Sequence, residues 1–200
     1  CWRKLESFVF SPQITTIGIS AFNGCESLRT ITIPNSVVDI EEGAFYGCKS
    51  LTSIALPKYL KAIKTNTFQG CESLRTITIP SSVKRIEKGA FANCHSLTSI
   101  TIPDGVKTIG ENCFYSCNSL KTVIIPESVK NIESESFAVC RALTSITLPS
   151  NLKNIGIKAF EYCSSLETVI INSKVPPVID NYSKTFEDTL KVIYVPAESV

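Results

Sequence analysis

The chain has 200 residues, of which 44% are hydrophobic and 19% charged, so it can fold around a substantial core. Its 20 basic and 18 acidic residues leave a formal charge of +2, which excludes a strong overall attraction to nucleic acids, membrane surfaces or acidic substrates. No apolar stretch reaches the roughly 18 residues of a membrane-spanning helix. We therefore expect an ordered protein without a membrane span and without a nucleic-acid partner.

An internal repeat of 23 residues organises the whole sequence. The ten residues CESLRTITIP occur twice, starting at Cys25 and again at Cys71. Units this short cannot bury their own apolar residues, so they must stack as the coils of a solenoid and share one core. Equivalent positions in successive coils are called a column here. The cysteine column contains Cys25, Cys48, Cys71, Cys94, Cys117, Cys140 and Cys163.

Taken in chain order, the sequence predicts one solenoid domain over residues 1–200. Residues 1–24 form a first, imperfect coil, in which Trp2 takes the cysteine position and Cys1 is one residue out of step. The start CWRKLESF lacks an initiator Met and is what a mature form or an excised fragment would show. Residues 25–171 form regular coils. Residues 172–200 form an irregular C-terminal coil or cap, in which an insert precedes the shifted copy LKVIYVP.

The first half of each coil predicts a short strand. In the segment LRTITIP, Ile31 and Ile33 are expected to face inward, while Thr30 and Thr32 face outward. Pro34 ends this strand because its ring nitrogen cannot donate to the neighbouring coil.

The second half of each coil predicts a second short strand and a closing turn. Val37 and Ile40 mark the inward side of that strand, and Ala44, Phe45 and Cys48 point inward from the turn. No helical period is present. We expect a right-handed superhelix of 23-residue coils with a parallel β-sheet, a second short strand per coil, tight or 3₁₀-like turns, and little or no α-helix.

The repeat, written C-x-S-L-x-T/S-I-x-I/L-P-x-x-V-x-x-I-x-x-x-A-F-x-x-C, resembles the BspA-type leucine-rich repeat family over nearly the whole chain. The resemblance implies a leucine-rich repeat solenoid from an extracellular or cell-surface protein of a host-associated microbe. Relatives are often adhesins for host matrix proteins, so the resemblance also implies an adhesive function. One repeat scaffold serves many partners, and the resemblance therefore identifies no ligand.

The nine cysteines raise the question of disulfides or a metal site. Equivalent cysteines in adjacent coils stack about 4.8 Å apart with parallel side chains, which is a poor orientation for a disulfide. We expect the cysteine column to be buried, reduced and free of metal, because buried Cys behaves as a small hydrophobic residue. Cys113 and Cys117 form the one C-x-x-x-C pair, and His95, the sole histidine, is expected to face outward. The sequence therefore predicts no metal and no cofactor.

Catalysis is not expected, because the chain has one histidine, no glycine-rich phosphate loop and no G-x-S-x-G motif. Two functions remain open: a surface-displayed binding module, which we favour, and a passive spacer within a larger surface protein. The outward Thr and Ser columns predict a flat face that favours neither a pocket nor an aromatic hot spot. Four of the six tyrosines, Tyr46, Tyr59, Tyr115 and Tyr162, are scattered over more than one column.

Several charged columns vary with a period of two coils, which indicates that the duplicated unit was a pair of coils. One such column reads Glu41, Lys64, Glu87, Gly110, Glu133 and Gly156, and another begins with Glu26, Lys49 and Glu72. The alternation keeps like charges about 10 Å apart, near the Debye length at 0.1 M salt.

One column breaks this alternation. Between Val38 and Pro176 it contains five lysines in consecutive coils, here called the lysine stripe: Lys61, Lys84, Lys107, Lys130 and Lys153. Arg85 would extend the stripe sideways. The stripe is either a solvated edge that aids solubility or a docking strip for a polyanion, such as a sulfated glycan or an acidic segment of a host protein. The expected partner is thus a host matrix protein or an anionic glycan, bound by a monomer.

Overall fold

The computed structural model describes residues 2–173, 175–179, 185–186, 190 and 192–194, the last three by their backbone. Cys1 and Pro196 lie outside the described residues. The described residues form short β-strands and no helix. In chain order the strands are β1 (Thr16–Ile17), β2 (Thr30–Thr32), β3 (Asp39–Ile40), β4 (Ser53–Ala55), β5 (Ala62–Ile63), β6 (Thr76–Thr78), β7 (Arg85–Ile86), β8 (Ser99–Thr101), β9 (Thr108–Ile109), β10 (Thr122–Ile124), β11 (Asn131–Ile132), β12 (Ser145–Leu148), β13 (Asn154–Ile155), β14 (Thr168–Ile171), β15 (Val178–Ile179) and β16 (Val192–Tyr194).

The strands form two lines of parallel pairs, one along each half of the coils. The even-numbered strands pair in the groups β2-β4-β6, β8-β10 and β12-β14-β16. The odd-numbered strands form the pair β1-β3 and a six-stranded sheet from β5 to β15. Ile31 lies opposite Ile54, and Ile54 opposite Ile77, so the register follows the 23-residue repeat. The predicted parallel solenoid with a second short strand per coil is confirmed.

The closing turn of each coil adds a third line of hydrogen bonds between coils. In one turn, the amides of Gly43, Phe45 and Gly47 donate to carbonyls of the next coil at 3.0, 2.9 and 2.7 Å. The alternate amides of Ala44 and Tyr46 close tight turns within the coil. Gly43 and Gly47 have φ of 60° and 67°, so left-handed residues stand at both ends of the turn, which is not a 3₁₀-helix.

The core is one continuous stack of leucine, isoleucine, phenylalanine and cysteine columns. Thr30 and Thr32 are exposed while Ile31 and Ile33 are buried, as the alternation predicts. Successive phenylalanine rings lie 5.2–5.6 Å apart at 2–13° to one another, which is the offset stacking that aromatic rings prefer. This ladder contains Phe22, Phe45, Phe68, Phe91, Phe114, Phe137, Phe160 and Phe186.

The first coil covers the N-terminal end of this ladder. Phe8 and Phe10 stand edge-on to the ring of Phe22, at centroid distances of 5.1 and 5.6 Å. Trp2 is 59% exposed and stacks on Phe8 at 6.4 Å. If no ring covered this end of the ladder, Phe22 would be exposed to water. Phe22 is instead only 3% exposed. The N-terminus is therefore capped by two aromatic rings that take the places of Ile31 and Ile33 in the 23-residue frame.

The C-terminal insert shifts the frame without breaking the stack. Phe186 follows Phe160 in the ladder at 5.2 Å, so the insert supplies the next ring. Asn154 pairs with Val178, which places Pro177 opposite Lys153 at the end of the lysine stripe. The column position assigned to Pro176 from the sequence is wrong by one residue, because the insert has already added a residue at this point.

Packing, as well as charge, explains the alternating columns. Lys64 Nζ contacts the carboxylates of Asp39 and Glu41 at 2.9 and 2.8 Å. At Gly110, however, a Cβ atom would lie 2.6 Å from the carbonyl carbon of Glu87 in the preceding coil. Glycine is required at this position because no larger residue fits against the neighbouring backbone.

Candidate functional site

The cysteine column lies in the centre of the coils. Each thiol from Cys48 to Cys163 donates to the backbone carbonyl of a phenylalanine in the preceding coil, at 3.1–3.3 Å. All seven side chains are at most 1% exposed, which confirms the predicted burial. The eight described cysteines are free. Their role is to fill the turn and satisfy its carbonyl groups.

Burial also makes these thiols poor nucleophiles. Loss of hydration raises the pKa of the Cys48 thiol to about 12 and raises the pKa values of Cys71, Cys94, Cys117 and Cys140 well above the usual range. The described residues contain no cluster of three or more His, Cys, Asp or Glu side chains that could hold a metal ion. His95 is half-buried, and its Nδ1 lies 2.9 Å from the carbonyl of Ser116.

The structure brings the lysine stripe together as predicted. The side chains of all five lysines and of Arg85 are exposed. The amide of Lys130 donates to the carbonyl of Lys107 at 2.8 Å, and the amide of Lys153 donates to the carbonyl of Lys130 at 2.7 Å. Lys107, Lys130 and Lys153 therefore start from directly hydrogen-bonded backbones, about 5 Å apart.

The two halves of the lysine stripe have different surroundings. In the first half, Lys84 Nζ donates to the carbonyls of Ser81 and Asp104, both at 3.0 Å. Arg85 Nε is 3.4 Å from Glu87 and is ion-paired. Glu87 therefore neutralises Arg85 and not the lysines beside it. The charge of Arg85 is therefore partly neutralised within the protein.

In the second half, the lysines are bordered by neutral side chains. The column next to Lys107, Lys130 and Lys153 contains Thr108, Asn131 and Asn154. Asn154 Nδ2 donates to Asn131 Oδ1 at 2.7 Å, and Asn131 Nδ2 donates to Thr108 Oγ1 at 3.4 Å. Within the described part of the chain, Lys107, Lys130 and Lys153 form no ion pair.

The outward face of the even-numbered strands is less uniform than predicted. Its Thr and Ser side chains are exposed in β2, β6 and β8. In β4, however, Ala55 replaces the second threonine. A shallow depression of about 520 Å³ opens there, between Lys58 and Thr76. The face predicted to be flat therefore has a recess beside Ala55.

A second concavity lies along the closing turns near the C-terminal end and is here called the tyrosine cleft. It has a volume of about 730 Å³ and is lined by Tyr115, Ser116, Val139, Arg141, Tyr162 and Ser164. Sequence reasoning missed this site because Tyr115 and Tyr162 stand in neighbouring columns, two coils apart. Stacking brings the two tyrosines to the same cleft with Arg141 from the coil between them.

The backbone of the tyrosine cleft is strained. Val139 and Tyr162 have φ of 64° and 58°, in a column where the first coils have Gly24, Gly47 and Gly70. A β-branched or bulky residue in this left-handed region costs about 1–3 kcal/mol. In the sequence, Val139 and Tyr162 stand where the first coils have glycine. This replacement was the signal by which the cleft could have been found.

No helix in the described part of the chain is long and apolar enough to cross a membrane. A sequence comparison with curated proteins gives no significant match. The profile of the BspA type leucine rich repeat region, in six copies, matches residues 1–97 and 61–192.

Solved structures of bacterial leucine-rich repeat proteins resemble the chain in fold and sequence. A leucine rich cell surface protein from Faecalibacterium prausnitzii A2-165 has 36% sequence identity over 84% of this chain and 45% of its own, with a TM-score of 0.77. The T. pallidum leucine rich repeat protein has 33% identity over 80% of this chain and 78% of its own, with a TM-score of 0.73. A leucine-rich repeat protein from Bacteroides ovatus ATCC 8483 has 27% identity over 92% of this chain and 64% of its own, with a TM-score of 0.69.

The chain thus spans less than half the length of the F. prausnitzii protein. The repeat profile covers nearly all of the sequence, and the relatives share the parallel solenoid. The chain belongs to the BspA-type leucine-rich repeat family.

Proposed function

We propose that the protein is a surface-displayed, non-enzymatic binding module that docks an anionic polymer on its lysine stripe. The observation that carries this proposal is the group of three exposed lysines at Lys107, Lys130 and Lys153, which form no ion pair among the described residues and whose adjoining column is neutral. Three cations in consecutive coils repel one another, and a polyanion relieves that repulsion. The similarity to a cell-surface protein supports display outside the cell. Antibody labelling of intact cells tests that location.

The expected ligand is an extended chain with closely spaced negative charges, such as a sulfated glycan. Lysine ammonium groups act as flexible point charges, so the stripe selects charge density more than a particular shape. The lysines are exposed to solvent, so binding weakens steeply as salt shortens the screening length from about 10 Å at 0.1 M. An acidic segment of a host protein has the same charge pattern and is the alternative occupant.

Heparin chromatography at pH 7 tests the proposal with two matched triple variants. The stripe variant carries Lys107→Gln, Lys130→Gln and Lys153→Gln. The control carries the same change at Lys49, Lys88 and Lys158, which are exposed but ion-paired to Glu26, Glu111 and Glu161. Lys84 is left intact because its ammonium group donates to two backbone carbonyls.

Both variants lower the formal charge by the same amount, so a difference between them reports position and not net charge. We expect the stripe variant to elute at a clearly lower salt concentration than the wild type, and the control to elute near the wild type. Equal elution of the two variants overturns the proposal. The protein would then be better described as a passive spacer within a larger surface protein.

A further inference from the structure

We propose that the tyrosine cleft binds a single acidic sugar residue, such as a uronic acid, independently of the lysine stripe. The cleft is lined by two tyrosines, Tyr115 and Tyr162, and its charged residue is Arg141. Its volume of about 730 Å³ is within the usual range for small-ligand sites. Tyrosine and arginine are also the residue types that most often dominate binding energy.

Arg141 has no acidic residue beside it in its own column. In the same column, Lys49 lies 3.9 Å from the carboxylate of Glu26. The coils on either side of Arg141 have the neutral residues Asn118 and Ser164 instead. Within the described residues, no ion pair of Arg141 is formed. Its exposed guanidinium is therefore available for a carboxylate, which it can bind through two parallel hydrogen bonds.

The rest of the lining matches a sugar ring. A pyranose has one face of C–H groups, which packs against a tyrosine ring, and hydroxyl groups at its edge. The hydroxyls of Ser116 and Ser164 and the phenol group of Tyr115 can donate and accept hydrogen bonds with that edge. One arginine suits one carboxylate, so the cleft fits an acidic monosaccharide unit and the stripe fits an extended polyanion.

The choice of residues in the glycine column supports a binding role. Val139 and Tyr162 hold left-handed backbone conformations where glycine would be unstrained. Gly24, Gly47 and Gly70 adopt the same left-handed conformation at this turn position in the first coils. Strained residues persist where the surrounding structure holds them in place and tend to cluster at ligand sites. Both strained side chains line the tyrosine cleft.

NMR titration with methyl β-glucuronide tests the proposal on the full chain, with methyl β-glucoside as the ligand that lacks the carboxylate. We expect the wild type to bind the glucuronide with an affinity on the order of millimolar, about tenfold more tightly than the glucoside. The Arg141→Gln variant should bind both sugars equally weakly. The Tyr162→Gly variant should lose about tenfold in affinity while folding at least as stably, because glycine removes the backbone strain.

Two controls separate this site from other effects. Tyr46→Gln changes an exposed tyrosine in the column of Tyr115 but outside the cleft, and it should leave glucuronide affinity unchanged. The stripe variant should also bind the glucuronide normally, even if its heparin retention is lost. No binding by the wild type, equal binding of the two sugars, or an equal loss in Tyr46→Gln would each overturn the proposal.

Discussion

The Sγ atom of Cys71 donates a hydrogen bond to the backbone carbonyl of Phe45, 3.3 Å away in the preceding coil. The same carbonyl accepts the amide of Cys48 at 3.2 Å. A sulfhydryl is thus the second partner of a buried carbonyl in the turn, and the arrangement recurs along the cysteine column. Cysteine fits this position because it combines small volume, apolar character and one weak donor.

Replacing one such thiol should separate its volume from its hydrogen bond. We expect Cys94→Ala to lower the free energy of unfolding by about 1–2 kcal/mol, through the cavity and the lost donor to Phe68. Cys113→Ala should cost less, because its column already contains Ala44, Ala90 and Ala159. Urea denaturation measures both values. An equal loss in the two variants would contradict the expected difference between the two columns.

The buried thiols should make the protein sensitive to alkali. Their folded-state pKa values are raised above 9.0, so below about pH 9 they are protonated in both the folded and the unfolded chain. Above that pH the unfolded chain loses protons that the folded chain keeps. The free energy of unfolding should therefore fall by about 1.4 kcal/mol per pH unit for each buried thiol, until the pH reaches its folded-state pKa.

Urea midpoints measured from pH 8 to pH 11 test this dependence. The Cys94→Ala variant should show a shallower decrease than the wild type, because it has one buried thiol fewer. A free energy of unfolding that stays constant through this range, or an unchanged slope in the variant, contradicts the assignment of alkaline sensitivity to the thiols.

Two glycine positions give a matched test of close packing between coils. Gly110→Ala should destabilise the protein by about 1–3 kcal/mol or more, because the new Cβ would lie 2.6 Å from a carbonyl carbon of Glu87. Gly18→Ala should be neutral or slightly stabilising, since nothing lies within 4 Å of the place that its new Cβ would take. Thermal denaturation compares the two. Similar melting temperatures would remove the packing explanation for glycine in this column.

The left-handed turn column predicts opposite effects for one pair of substitutions. Val139→Gly should raise the free energy of unfolding by about 1 kcal/mol, because it relieves strain at φ 64°. Gly70→Val, in the same column at φ 73°, should lower it by at least as much. Chemical denaturation measures both. A change of the same sign in both variants would falsify the strain assignment.

The N-terminal cap should control how quickly the first coil opens. Each coil contacts only its neighbours, so the end coils exchange amide protons faster than central ones. We expect residues 2–20 to exchange faster than the central coils. Phe8→Ala should accelerate exchange around Phe22 specifically, because it removes an edge-on ring. Val9→Ala, at a position 90% exposed, is the control and should change little. Uniform exchange along the chain would contradict faster opening of the end coils, and unchanged exchange around Phe22 in Phe8→Ala would contradict the cap.

Features that repeat in every coil were predictable from the sequence. The burial of Ile31, Phe45 and Cys48 follows from periodicity and stacking alone, since each must be covered by the same residue type in the next coil. The lysine stripe was predictable for the same reason. Hydrogen bonds between adjacent coils place equivalent residues side by side. The position of an exposed column therefore follows from the repeat alone.

Features that depend on breaks in the pattern were not predictable in the same way. Phe8 and Phe10 replace the isoleucines of their columns, so periodicity places them inward but does not show that their rings stand edge-on to Phe22. The tyrosine cleft depends on neighbouring columns in non-adjacent coils and on the left-handed turn, which accepts residues as different as Gly70 and Val139. Side-chain size, rather than the repeat, determines where such a concavity forms.

The three lines of hydrogen bonds between coils also determine how the protein would respond to mechanical force. All of these bonds point along the solenoid axis, so tension applied at the two ends would load them one coil at a time and not in shear. Each released coil of 23 residues would lengthen the chain by about 75–80 Å when fully extended. A protein held between two surfaces by its ends would then yield in regular steps of that length, and each step would dissipate energy before the attachment itself fails.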